Sequence, residues 1–255
     1  MLGSIKHEHI LGREIFIYLP PSYKNNNKRF PVLYGNDGAE LYRYSDRLIE
    51  SFEKGFKEGK LNEFIWIGIY SEKRIHEYTP WPAPSLAPKF DDFGGQGREY
   101  IEFVVNGIKL YIDKNYNTKY DKKNTWIMGY SLGGLISVYS LYVTNVFGKI
   151  ASVCGSFWYK GMVNWITENN MLNEDFQLYI HYGRKEGQDK KTLQQNAVIC
   201  TESIIEIFKD ELGYIEDIDV SSDDGGHHQY MEQRYINAIY WLAKNRCFRL
   251  SAGRG

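Results

Sequence analysis

The sequence predicts an α/β fold, a mostly parallel central sheet flanked by helices on both faces. Three observations predict it. Short, almost wholly apolar runs recur along the chain, and strands of that kind are buried on both faces, as in parallel sheets. Longer amphipathic stretches alternate with them and supply the crossovers. One apolar run stops at a glycine, passes through a single serine and becomes helix: WIMGYSLGGLISVYS, residues 126–140.

The elements follow in order. Residues 13–19 (REIFIYL) alternate, and predict a first strand paired antiparallel at one edge of the sheet. Residues 25–28 (NNNK) read as a surface turn. Strands are expected at 31–34 (PVLY), 64–70 (FIWIGIY), 125–128 (TWIM), 150–154 (IASVC), 177–182 (QLYIHY) and 215–220 (IEDIDV). Helices are expected at 45–56, with Leu48, Ile49, Phe52 and Phe56 on one face, and at 98–112, with Ile101, Val104, Val105, Ile108 and Ile112. Further helices are expected at 192–212 and 230–244. Residues 77–97 hold four prolines and three glycines, which excludes a regular helix or central strand. A long ordered loop of this kind often lines a site, with Trp81 and Phe90 or Phe93 as its apolar contacts. With no repeat and no linker visible, one domain is expected over 1–250, and 251–255 as a disordered tail.

Composition narrows the function. The net charge of −1 gives no electrostatic reason for a nucleic-acid or anionic-membrane partner. Three cysteines, Cys154, Cys200 and Cys247, are odd in number, with no C-x-x-C, so neither a disulfide framework nor a structural zinc site is expected. No basic-then-apolar leader and no run of membrane-spanning length is visible, so the expectation is a cytoplasmic protein, monomer or homodimer. The 21 Tyr, 13 Phe and 6 Trp would suit both a core and a cleft for ring-bearing ligands.

Gly129-Tyr130-Ser131-Leu132-Gly133 is G-x-S-x-G. The pattern alone is a weak signal in a chain with 24 glycines. Its setting between strand and helix is what points to a nucleophile on a tight bend rather than a helix-capping serine. A serine hydroxyl needs a base, and the base a third group to orient it. Three histidines follow Ser131. His181 sits inside a strand pattern. His227 and His228 lie in a turn-rich loop, SSDDGGHHQY, before the last helix, and His227 ranks first. For the acid, Glu186 in the loop after residues 177–182 ranks ahead of Asp189, with Asp223 and Asp224 on the histidine loop itself. An oxyanion hole needs two N–H groups: Leu132 supplies one, and the loop Asn36-Asp37-Gly38-Ala39 the other. Asp37, Gly38, Tyr130, Trp81, Phe157 and Trp158 complete the residues expected around a substrate. No metal or organic cofactor is required.

In this order, IFIYLPPSY (15–23), VLYGNDG (32–38), EYTPW (77–81), GYSLGG (129–134), YGRKEG (182–187) and GGHHQY (225–230) resemble the putative esterase family, the esterase D-like branch of the α/β-hydrolases. That family includes feruloyl and acetyl esterases, S-formylglutathione hydrolases, mycolyltransferases and siderophore trilactone esterases. The EYTPW segment is most similar to bacterial siderophore-esterase-like members. The resemblance implies an α/β-hydrolase fold and ester hydrolysis through Ser131, His227 and Glu186, with Leu132 and Ala39 as oxyanion donors. One departure is that many members carry a tryptophan shortly after the histidine, where this chain has Gln229 and Tyr230. The expected reaction is hydrolysis of a small-molecule carboxylic ester, with acyl transfer by the same triad, or a non-catalytic binding role, as alternatives.

Overall fold

The computed structural model describes residues 1–25, 28–212 and 218–244. The chain opens with a hairpin of β1 (Ser4–Ile10) and β2 (Arg13–Leu19). Its two-residue loop, Leu11-Gly12, has positive φ at both positions, 51° and 80°. That backbone matches the right-handed twist of the paired strands. Next come β3 (Val32–Asn36), α1 (Gly38–Arg43), α2 (Ser45–Lys57), β4 (Ile65–Ile69) and α3 (Arg74–Glu77). The proline-rich segment forms a small hairpin of β5 (Pro82–Ala83) and β6 (Phe93–Gly94). Helix α4 (Gly97–Phe103) runs through a π-helical stretch, Val104–Lys109, into α5 (Leu110–Asn115). The remaining elements are β7 (Thr125–Tyr130), α6 (Leu132–Tyr139), β8 (Lys149–Val153), α7 (Met162–Glu168), β9 (Gln177–Gly183), α8 (Ala197–Leu212), β10 (Ile218–Asp223) and α9 (Met231–Ala243).

One eight-stranded sheet has the order β1-β2-β4-β3-β7-β8-β9-β10. Every pair from β4 to β10 is parallel. β2 pairs antiparallel with both β1 and β4. The expected antiparallel start is therefore present, but residues 13–19 are not at the edge: Ser4–Ile10 covers them, and from Ile15 on the strand is buried.

Alternation along the strands splits the core in two. On one face Ile15, Ile17, Tyr34, Ile67 and Ile127 pack with Ile101, Val104, Leu135 and Ile136 of the helices. On the other, Phe16, Leu33, Trp66, Trp126 and Met128 pack with Leu48, Ile49 and Phe52 of α2 and Tyr235, Ile239 and Leu242 of α9. Each such buried side chain contributes about 1.5–3 kcal/mol. The site follows from the strand order. After β3 the chain winds to β4 on one side; after β7 it winds to β8 on the other. The carboxyl ends of neighbouring β3 and β7 thus flank a switch point, where open α/β sheets form their crevices.

Parts of the expected segments lie outside the described residues: 251–255 entirely, Asn26 and Asn27 of the turn, and 215–217 of the last strand, which is seen from Ile218.

Candidate active site

β7 carries its ladder two residues past the expected end, through Gly129 and Tyr130, and the Ser131 N–H still bonds the Val153 carbonyl at 2.9 Å. The chain then turns sharply. Ser131 has φ 60° and ψ −121°, a conformation that favours glycine, and α6 starts at the next residue. The bend brings backbones into contact: a Cβ on Gly129 would lie 2.3 Å from the carbonyl carbon and oxygen of Gly133. The serine side chain is thereby raised above the sheet edge at the N-terminus of a helix.

The Ser131 Oγ lies 3.0 Å from His227 Nε2. The other ring nitrogen, Nδ1, lies 2.7 Å from Glu186 Oε2. Glu186 is buried, and its second oxygen accepts the Gly183 N–H at 2.8 Å. Burial pushes this carboxyl up, but the His227 hydrogen bond and charge outweigh it, and its pKa lies below the ordinary 4.5. It is an anion held beside the imidazole. His228 stands edge-on to His227, ring centroids 4.9 Å apart; burial first, then the neighbouring His227 charge, lowers its pKa. Asp189 is exposed. Asp224 bonds Arg184, and Asp223 bonds Arg234 and His181. His181 is buried in β9 with Ser221 at 2.7 Å. Of the open alternatives for base and acid, the geometry brings His227 and Glu186 to Ser131.

The loop after β3 is locked by groups not singled out in the sequence. Asp37 is left-handed at φ 59°. Its carboxylate takes a two-pronged contact from Arg74, at 2.8 and 3.0 Å, and its N–H donates to the Tyr78 hydroxyl at 2.9 Å. Asn36 donates to the Gly133 carbonyl at 3.1 Å and ties this loop to the start of α6. Ala39 and Leu132 each sit in the first turn of a helix, where N–H groups have no acceptor within the helix.

Two cavities meet at Ser131. One, of about 440 Å³, is lined by Asp37, Ala39, Glu40, Arg74, Tyr130, His227 and His228. The other, of about 340 Å³, is lined by Leu132, Leu86, Lys89, Phe90, Phe93 and Trp158. Of the expected aromatic contacts, Trp158, Phe90 and Phe93 line the second cavity. Three expected contacts do not line these cavities. Trp81 turns away: it donates to the Lys160 carbonyl at 3.0 Å and packs on Tyr159 and Trp165. Phe157 is fully buried in the core. Gly38 packs onto β4, where a Cβ would meet Gly68 and Ile69 backbone at 2.8 Å. Gly38 lies between Asp37 and Ala39, and Phe157 beside Trp158, all of which line the cavities; packing took Gly38 and Phe157 themselves inward.

Ser156, Arg74 and Arg234 were missed. The Ser156 hydroxyl is 3.2 Å from Ser131 Oγ; its position in a Gly-Ser pair after a strand was the available signal. Among the described residues, Cys154, Glu186 and His227 bring three ligand-type atoms within 4.8 Å of one another. The Arg234 guanidinium bonds the Cys154 sulfur at 3.0 Å. That places a fixed positive charge beside the thiol, which suits an anion and its proton partner better than a metal ion.

The sequence model of the family described as "Putative esterase" matches residues 11–237, and the chain belongs to that family: it is an esterase-type hydrolase. It is similar to an uncharacterized protein, YbbA, of Bacillus subtilis, 36% identical over 251 residues, covering 96% of this chain and 99% of that one. Among solved structures it resembles an IroE-like serine hydrolase from Shewanella oneidensis, with a TM-score of 0.76, 15% identity, and coverage of 94% of this chain and 80% of that one. It also resembles the siderophore hydrolase EstA from Aspergillus nidulans, with a TM-score of 0.75, 16% identity and 93% coverage of each. These likenesses show an α/β-hydrolase fold. No helix among the described residues is long and apolar enough to cross a membrane.

Proposed function

We propose that the chain is a serine carboxylesterase acting through Ser131, His227 and Glu186. The observation that supports this reading best is the continuous contact from Ser131 Oγ through both ring nitrogens of His227 to a buried carboxylate, at 3.0 and 2.7 Å. In the reaction His227 Nε2 takes the Ser131 proton as Oγ attacks the ester carbonyl carbon. The N–H groups of Leu132 and Ala39 hold the oxyanion. The tetrahedral intermediate collapses, and His227 returns the proton to the leaving alcohol. Water, deprotonated by the same imidazole, then attacks the acyl-enzyme and frees the acid. Glu186 remains ionised and stabilises the imidazolium at each step.

His227 lines only the first of the two cavities, and Leu132 only the second. The leaving alcohol, which must meet His227, takes the first; the acyl group takes the second. Phe90, Phe93 and Trp158 give that second cavity aromatic walls, so the acyl group is an aryl one, of the catecholate or hydroxycinnamate kind. EstA, a neighbour in fold, is a siderophore hydrolase, and a siderophore-type aryl ester fits the same walls.

The test is hydrolysis of nitrophenyl esters of increasing chain length, with catechoyl and feruloyl esters, by wild type and Ser131→Ala. The expected result is loss of ~10⁴-fold or more in kcat in the variant and a preference for aryl acyl groups in the wild type. Activity surviving in Ser131→Ala overturns the nucleophile; a strong preference for acetate esters overturns the aryl reading.

A further inference from the structure

Arg234 in the first turn-and-a-half of α9 is only 1% exposed. An arginine is almost never fully buried unless its charge and its donors are taken up. Here they are. Nε and Nη2 form a fork on Asp223, at 2.8 and 2.6 Å, at the end of β10. Nη1 donates to the Tyr130 hydroxyl at 2.8 Å, to Cys154 Sγ at 3.0 Å and, at 3.4 Å, to the His227 carbonyl. The Tyr130 hydroxyl in turn donates to that same His227 carbonyl.

Each of the three Nη1 contacts lies beside one member of the proposed triad. Tyr130 immediately precedes Ser131. The carbonyl belongs to His227 itself. The Cys154 sulfur, a thiol kept neutral by burial, lies within 4.8 Å of a Glu186 carboxylate oxygen. One planar cation therefore meets the ends of β7, β8 and β10 and the histidine loop.

A second observation shows that space is kept for it. A Cβ on Gly183, at the end of β9, would lie 2.6 Å from Arg234 Nη2, and one on Gly225 would lie 2.7 Å from the same atom. The glycines on both loops that carry the acid and the base leave room for the guanidinium.

We infer that Arg234 is a positioning residue that sets Ser131, His227 and Glu186 in mutual register through Tyr130, the His227 carbonyl and Cys154; this rests on the triad reading above. A guanidinium can do this because its N–H groups lie in one rigid plane, so a single side chain fixes several partners at defined angles. An ammonium in its place keeps the charge and loses the fork.

The experiment compares wild type, Arg234→Lys, Tyr130→Phe, the double variant and Ser131→Ala on a nitrophenyl ester. Active sites in a separate aliquot are titrated with a fluorophosphonate, so rates are expressed per reactive site, and for Ser131→Ala per mole of protein. Displacing a base by a fraction of an ångström to one ångström costs up to ~10²-fold. Arg234→Lys is expected to lower kcat ~30- to 100-fold with KM within about threefold, and to slow fluorophosphonate labelling by the same factor. Tyr130→Phe, which keeps the ring, is expected to lower kcat ~5- to 10-fold. The double variant should be little worse than Arg234→Lys alone, because both act on one carbonyl. If Arg234→Lys does not fold, Tyr130→Phe decides: unchanged kcat overturns the inference. So does wild-type kcat per titrated site in Arg234→Lys, whatever its thermal stability. Ser131→Ala separates the two readings, since activity there fails the triad itself, whereas an inert Ser131→Ala beside a fully active Arg234→Lys fails only the role of Arg234.

Discussion

Glu186→Gln probes the site with the smallest change of shape, and its effect can be worked from two contacts. The carboxylate holds the His227 Nδ1–H at 2.7 Å with one oxygen and the Gly183 N–H at 2.8 Å with the other. Both partners are donors. An amide has one oxygen and one NH₂, so one contact must fail. If the amide oxygen faces His227, the NH₂ meets the Gly183 N–H head on, and a buried donor is left unpaired at about 1–3 kcal/mol. The bond to the imidazolium also loses its charge assistance, roughly half its strength. If the amide is flipped, its NH₂ donates to Nδ1. The imidazole must then carry its hydrogen on Nε2, 3.0 Å from Ser131 Oγ, and has no lone pair for the serine proton. Either way the expected loss is ~10³- to 10⁴-fold in kcat, or about 4–5.5 kcal/mol at 1.36 kcal/mol per tenfold. KM should hold within about threefold, since Glu186 lines neither cavity. Steady-state hydrolysis of a nitrophenyl ester at neutral pH measures it, with Asp189→Asn alongside as the exposed alternative. A Glu186→Gln enzyme within about tenfold of wild type, or an inactive Asp189→Asn enzyme, refutes the assignment of the acid.

Two further outcomes follow from other parts of the site. Glu186 and Asp223 both have folded-state pKa values below the ordinary 4.5 and 3.8, the first despite its burial and through His227, the second through the Arg234 fork. A depressed carboxyl binds fewer protons folded than unfolded, so its contribution is present above the unfolded pKa and is lost as pH falls through the folded one. Urea unfolding should show stability declining as pH drops below about 4.5, less steeply in Asp223→Asn; stability that stays flat or rises on acidification contradicts this. Gly129→Ala sets a methyl group 2.3 Å from the Gly133 carbonyl. It is expected to cost roughly 1–3 kcal/mol in thermal unfolding and to lower kcat by moving the serine, and a variant with wild-type stability and rate would show that the bend has slack.

The parallel strands were legible because burial on both faces leaves no reason for polar residues, and runs such as FIWIGIY and TWIM carry that signature directly. Ser4–Ile10 was not legible: SIKHEHI is an edge strand with polar, largely exposed residues on both faces, and its lysine, glutamate and two histidines hide it. Short α1 and α3 escaped for a different reason. Four to six residues give too few turns for a periodic pattern, and both are fixed by tertiary contacts, Asp37 to Arg74 and Arg13 to Glu77. The serine and its partners could be read from order and turn chemistry. What surrounds them could not. Arg234 stands in a helix beginning MEQR, which reads as a solvated face, and its burial is decided by Asp223, eleven residues earlier. Trp81 reads as a site aromatic because it stands in the proline-rich loop, and Phe157 because it adjoins Trp158; which side chains of such segments turn inward is set by packing that local pattern does not carry.

The backbone at Ser131 has a consequence that reaches beyond the reaction. A side chain held at φ 60° and ψ −121° costs of the order of 1–3 kcal/mol relative to a residue at ease there, and a folded domain has only about 5–15 kcal/mol in total. Glycine would relieve that strain. The chain is therefore less durable than a neighbouring sequence one codon change away, at the one position where relief removes the hydroxyl. Drift toward greater thermal resistance would erase the nucleophile first, and a homologue that has lost its activity should be recognisable by glycine at this position and a higher melting temperature.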